Sequence, residues 1–402
     1  MKKVLCFAAA AMTLFAACQK TTVVYDNSEP QEIAVFAVNK TATKAPVADA
    51  TFPTDYKMQV AAYLAAGGLT EDANSGDYFD GTLFTKGDGT VWTGGKYWPM
   101  SAATLNFLAV AVPPADTYAG EAEVEFGETT GEGEEATKLD FVKQAVVTFD
   151  GNETTGNNYN QFDLMYAAGN QSHEAGGTYN NVEMTFKHAL SWIKFTVATN
   201  LKNKDANDKT FSMKVNSISL SGASYGGTLT VSTTETLTEN LTTSDYTAAW
   251  SAQSENVKDD VYVPGEPAND GTVSVATAVS DLSAYNATPQ LFGNGLLVVP
   301  CNYNDADADA ADRPKITINY TMNQGNGEYT FERTVTIPAI EWECNKIYTY
   351  ALNINLTEIS IEPKVTDWTD YDSNTVTTDV ADPINVDADA DPKPEQESGA
   401  GA

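Results

Sequence analysis

Apolar and polar residues alternate with a period of two through most of this chain, a pattern that predicts strands separated by turn-forming residues. The clearest cases lie toward the C-terminal end. In KITINYTM, Ile316, Ile318, Tyr320 and Met322 share one face. In NKIYTYALNINL the shared face holds Tyr348, Tyr350, Leu352, Ile354 and Leu356. SMKVNSISL and GTLTV read as a strand pair around GASYGG, and NQGNGE has hairpin chemistry because Asn and Gly tolerate positive φ. Near the front, EIAVFAVNK sets Ile33, Val35 and Ala37 against Ala34, Phe36 and Val38, so both of its faces are suited to burial. The acid-rich stretch 121–135 reads as a solvated excursion.

This spacing predicts an all-β protein of two tandem antiparallel β-sandwich domains with few short helices. A new strand set opens at MTFKHALSWIKFTV, which places the boundary near residues 185–190. The expected organisation is a signal segment at 1–17, a leader at 18–44, sandwiches at 45–187 and 188–368, and a polar extension at 369–402. The extension ends DADADPKPEQESGAGA, a composition too polar to build a core.

Composition supports strands and adds a constraint. The 402 residues are 10% aromatic, with 19 Tyr against 16 Phe, and Thr, Asn, Gly and Val are abundant, which suits pleated surfaces and turns. Net charge is −32, from 55 acidic against 23 basic residues. A surface this acidic repels phosphate backbones, so nucleic acid is excluded as a partner.

The first 18 residues, MKKVLCFAAAAMTLFAAC, have a short positive start, an apolar run of about 14 residues and small residues before Cys18. The run is too short to span a bilayer. The box resembles that of bacterial lipoproteins, in which Cys18 becomes the acylated first residue. Cys6 leaves with the signal, so only Cys301 and Cys344 stay in the body. In an oxidising compartment they either pair or remain buried thiols; a bond closing that loop is worth ~4 kcal/mol in the chain-entropy model.

Catalytic motifs do not assemble. Gly222-Ala223-Ser224-Tyr225-Gly226 fits G-x-S-x-G, but strand patterns flank it on both sides and both histidines, His173 and His188, lie upstream. It reads as a turn. Residues 305–312, within DADADAADR, space carboxylates like the start of a calcium loop, yet Ala310 replaces the turn glycine and Ile316 the bidentate glutamate. An exposed polar loop is preferred. The histidines have no partners at zinc spacing. No cofactor, metal site or catalytic set is expected. Trp92 and Trp98 suit either stacking on a sugar ring or burial, with burial favoured.

Six segments occur in a characteristic order: KYWPMSAATLNFLAVAVP, FDLMYAAG, MTFKHALSWIKFTV, ISLSGASYGGTLT, LLVVPCNYN and IEWECNKIYTYALNINLTEISIEPKVTDW. Taken together they resemble the fimbrillin family, the lipoprotein pilins of type V pili. The resemblance runs from about residue 30 to Trp368. It implies transthyretin-like sandwiches, acylation at Cys18, outer-membrane and fimbrial location, and adhesion. It also implies that a trypsin-like protease cuts at Lys44-Ala45, the family's processing position. That cut frees a strand carrying Ile33, Val35, Phe36 and Val38, and another subunit then fills the vacated slot. Val376, Val380 and Ile384 in the extension are the candidate donor residues. The implied partners are further pilin subunits joined head to tail, the outer membrane through the lipid before processing, and a surface receptor. The alternative is a monomeric surface glycan-binding lipoprotein.

Overall fold

A computed structural model describes residues 30–38, 52, 56–65, 77–87, 89–100, 103–112, 121–127, 129–130, 137–138, 142–150, 153–154, 158–159, 163–173, 180–199, 212–235, 240–252, 257–264, 280–282, 286–304, 313–323, 327–354 and 359–368. Cys18, Lys44, Ala45, the 305–312 segment and the whole 369–402 extension lie outside these residues.

The described chain is all-β, as the alternation predicts; its helical content is one 3-10 turn, Thr243–Asp245. The first large sheet has eight strands in the order Val182–Thr185, Glu32–Val38, Trp92–Tyr97, Asp77–Lys86, Lys57–Leu64, Ala103–Val112, Met165–His173, Lys187–His188. Both ends of that order belong to one continuous segment, 182–188. The sheet therefore curls until it nearly meets itself. Its inner face packs Ile33, Val35, Phe52, Phe84, Trp92, Phe107 and Met184.

A second sheet, in the order Thr247–Ala252, Gly226–Ser232, Gln144–Asp150, Glu121–Phe126, covers the outer face of the first. Between them lie Ala61, Leu108, Val110, Phe126, Val147, Tyr166, Leu229 and Val231. Strand 103–112 thus buries both faces, Phe107 and Ala109 inward and Leu108 and Val110 outward. Two expectations change here. Residues 121–126, read as a solvated excursion, pair with 144–150 and bury Phe126. Strand 226–232 pairs with 144–150 and 247–252, while strand Ser212–Ser221 pairs with Lys315–Asn323 rather than with GTLTV. The φ of +78° at Gly222 turns the chain between the two. Hydrogen-bond pairing therefore runs across residue 187, and both sides of that boundary share a sheet.

Two further sheets form a sandwich, apart from three two-stranded ribbons. One has the order Asn286–Val298, Ser191–Thr199, Lys346–Ile354, Ile359–Asp367; the other Val261–Tyr262, 212–221, 315–323, Glu328–Thr336. Their facing side chains follow the alternation: Ile316, Ile318, Tyr320 and Met322 from one, Tyr348, Tyr350, Leu352 and Ile354 from the other, while Leu356 lies outside the described residues. The hairpin around NQGNGE forms, pairing 315–323 with 328–336 in continuous register. Most pairings are antiparallel, but 191–199 runs parallel to 346–354, and 32–38 parallel to 182–185.

Candidate functional site

The leader strand Glu32–Val38 sits inside the first sheet, not on its rim. One edge pairs in parallel with 182–185, Val35 opposite Val182 and Ala37 opposite Met184. The other pairs antiparallel with 92–97, Val35 opposite Trp92 and Glu32 opposite Tyr97. The register slips between Glu32 and Ala34. There the Gly95 N–H, on a residue at φ +68°, donates to Glu32 Oε1 at 2.8 Å. The Trp98 N–H donates to the Gln31 carbonyl at 2.8 Å.

The alternation of this strand has a simpler outcome than two-faced burial. Ile33 and Val35 are 0% exposed, and Ala37 is buried, whereas Phe36 is 37% exposed. Ala34 is half-buried, and the burial of Val38 lies outside the described residues. The reason is the sheet's curl: its concave face encloses a core, and among the described residues no sheet packs on its convex face at this strand. Fully burying a Val or Ile side chain is worth roughly 1.5–3 kcal/mol, so Ile33 and Val35 dominate the strand's hold.

Without strand 32–38 the sheet would present a trough with two unpaired edges, 92–97 and 182–185. Its floor is aromatic. Phe52 meets Trp92 edge-on at 5.2 Å and Phe186 at 4.6 Å. The Trp92 indole N–H donates to the Tyr56 carbonyl at 3.3 Å.

On the far side of strand 182–185 lies a cleft of about 740 Å³, lined among others by Gly169, Glu183, Lys187, Thr243, Asn345 and Asp367. Behind it stands a buried polar group that joins the sheets. His188 Nδ1 and Asp163 Oδ2 lie 2.6 Å apart, and Trp368 stacks on the His188 ring at 3.9 Å with 7° between planes. Burial pushes the Asp163 carboxyl above the usual carboxylate range, and His188 partly opposes that. Asn345, at φ +60°, ties three segments: its N–H donates to the Leu190 carbonyl, its carbonyl accepts from the Trp368 N–H, and its Oδ1 accepts from the His188 N–H. Individual strand patterns give no sign of this convergence, because His188 and Asn345 are 157 residues apart in sequence.

The other singled-out residues do not form a site. Trp92 and Trp98 are buried, at 2% and 5% exposure, so neither offers a face to a sugar. That removes the two tryptophans from the glycan-binding alternative, which also drew on exposed tyrosines such as Tyr97 and Tyr329. Ser224 is buried on a short strand, and its hydroxyl donates to the Gly226 carbonyl at 2.9 Å. Cys301 and Cys344 line one cleft but are free thiols. The Cys344 Sγ lies 3.8 Å from the Ala248 carbonyl, and burial pushes its thiol up to about 12. No group of three or more metal-binding side chains occurs among the described residues.

No curated protein matches the chain significantly. Among solved structures, a fimbrial protein from Bacteroides vulgatus is 15% identical with a TM-score of 0.46, over 83% of this chain and 99% of its own. A candidate cell adhesion protein from Bacteroides uniformis is 13% identical with a TM-score of 0.39, over 84% and 99%. One from Bacteroides ovatus is 10% identical with a TM-score of 0.38, over 85% and 98%. The stronger finding is a match of residues 26–368 to the family model described as Fimbrillin-like, a family of structural rather than catalytic proteins. The match takes in the leader strand, both sets of sheets and the His188–Trp368 stack, and the chain belongs to the fimbrillin-like family.

Proposed function

We propose that the protein is a structural subunit of a surface pilus serving adhesion, assembled by exchange of the leader strand for an extended segment of another copy. In this reading Cys18 is acylated, the precursor travels to the outer membrane, and a trypsin-like protease cuts at Lys44-Ala45. Strand 32–38 then leaves, and residues around Val376, Val380 and Ile384 of a second subunit enter.

One observation carries the reading: strand 32–38 is held by a neighbour on each of its edges within a sheet. Its loss opens a slot whose two edges and apolar floor ask for one more strand, the situation met by β-augmentation. Because three side chains, Ile33, Val35 and Ala37, point inward, gross burial by a donor is on the order of 4–8 kcal/mol before ordering costs. Val376, Val380 and Ile384 are spaced by four, so on entering the slot as an extended donor they would share one face with Thr378 and Asp382 between them. Slot and donor are different surfaces, so contacts run head to tail and propagate a filament.

The test is to treat purified precursor with a Lys-cleaving protease and run unboiled gels. Ladders should appear together with an N-terminus at Ala45, and Val380→Asp should abolish the ladders while leaving monomers folded. Chains that stay monomeric after clean loss of residues 32–38 overturn the proposal.

A further inference from the structure

Segment 182–188 belongs to both ends of the eight-stranded order, and this raises a difficulty for any exchange of the leader strand. Residues 187–188 pair antiparallel with 165–166, Lys187 opposite Tyr166 and His188 opposite Met165. Continued past Phe186 opposite Ala167, that register sets Thr185 opposite Ala168, then Met184 opposite Gly169 and Glu183 opposite Asn170. Yet no pairing forms there; 182–185 pairs with the leader instead.

What stands between is one hydroxyl. Thr243 Oγ1 accepts the Ala168 N–H at 2.9 Å and lies 2.7 Å from the Thr185 carbonyl and 3.1 Å from the Ala168 carbonyl. Its single proton serves the shorter contact, to Thr185. The hydroxyl thus occupies the place where Ala168 and Thr185 would bond each other directly. It is 4% exposed and rigidly held. The Leu241 N–H donates to Asn106 Oδ1 at 3.2 Å, Asn170 Nδ2 donates to the Leu241 carbonyl at 3.0 Å, and both the N–H and the hydroxyl of Thr242 donate to Asp245 Oδ2 at 2.7 Å. Below the wedge the two strands already nearly touch, since a Cβ on Gly169 would lie 2.8 Å from the Glu183 carbonyl.

We infer that Thr243 is a wedge that keeps strand 182–185 from zipping onto strand 165–173, and so preserves the second edge of the assembly slot once the leader has gone. This rests on the proposed strand exchange and names the residue that makes the acceptor two-sided. With the leader in place, strand 182–185 has a partner and the wedge is not needed. After release, a zipped 182–185 would leave a slot with one edge, 92–97, and a weaker hold on any incoming strand.

The carbonyls of Glu183 and Thr185 face the seam, so the N–H groups of the same two residues face it too. Their amide exchange therefore reports zipping directly. The experiment uses the full chain, cleaved with a Lys-specific protease and freed of its leader in mild denaturant. It is then offered a fluorescent peptide of residues 30–40, and amide exchange is followed in parallel. In the native chain the Glu183 and Thr185 amides should exchange freely while Ala168 stays protected, and the peptide should rebind. Thr243→Ala, which vacates the place the hydroxyl fills, should bind about tenfold more weakly and should gain protection at Glu183 and Thr185. Thr243→Ser should rebind the peptide within about threefold of native. Protection appearing at Glu183 and Thr185 in the native chain overturns the inference even if the alanine variant does not fold. An alanine variant that rebinds like the native chain, with both amides open, overturns it while leaving strand exchange intact. A native chain unable to rebind the peptide overturns both.

Discussion

At the scale of single residues, the leader strand separates side chains that hold it from those that do not. Ile33→Ala removes a fully buried side chain and leaves a cavity against the aromatic floor, at a cost of roughly 2–5 kcal/mol. Phe36→Ala, on the open face, should cost less than about 1 kcal/mol. Denaturant midpoints of the uncleaved chain check the contrast, and equal effects would contradict the one-sided burial. Lys194 gives a second residue-scale expectation. It lies at 3% exposure in a strand buried along its length, its Nζ 4.1 Å from the Trp192 ring centroid. Burial lowers its pKa to about 7 from an ordinary 10.5. The unfolded chain therefore binds this proton more readily than the folded chain between those values. Stability from this group rises as pH climbs from about 7 toward 10.5 and levels off above. Lys194→Met should flatten that part of the pH–stability curve, measured by chemical denaturation across pH 7–10.5.

At the scale of elements, alternation names strands well and partners poorly. The faces of 315–323 and 346–354 are legible because one residue in two is apolar and one face is buried. Pairing is not legible in the same way: 212–221 finds 315–323, about a hundred residues on, rather than the adjacent GTLTV. The deciding local feature is Gly222 in the left-handed region, which sends the chain out of one sheet and into another. A second such device sits in strand 286–298, where pairing with 191–199 slips between Ile193 and Phe195. Gly295, at φ +77°, passes so close to Ile193 that a Cβ would lie 2.3 Å from its carbonyl oxygen. Gly295→Ala should therefore destabilise by more than about 2 kcal/mol, from strain and clash together. Native-level thermal stability in that variant would show that the slip does not need glycine.

At the scale of the molecule, the two halves share one of three cores, the other two lying wholly before or wholly after residue 187. The core between them takes Leu108 and Val147 from before residue 187, and Leu229, Leu297 and Trp368 from after it. The His188–Asp163 pair under Trp368 is its polar centre. Removing one partner strands the other in an apolar setting, so His188→Ala should cost roughly 3–5 kcal/mol. Unfolding should remain a single transition, because this middle core is complete in neither half. Separate melting of the regions before and after residue 187, followed by exchange of their amides, would contradict the shared interior.

The residue pattern was enough to establish the strand class, the buried faces of the most regular strands and, through the order of its segments, the family. These follow from local periodicity and spacing, which survive in any arrangement of the strands. Tertiary structure alone decided which edges meet: that strand 32–38 lies between 92–97 and 182–185, that a threonine hydroxyl divides 165–173 from 182–185, and that Asn345, His188 and Trp368 converge. Such contacts depend on the curl of a sheet and on turns that redirect it. No short stretch of residues encodes either one.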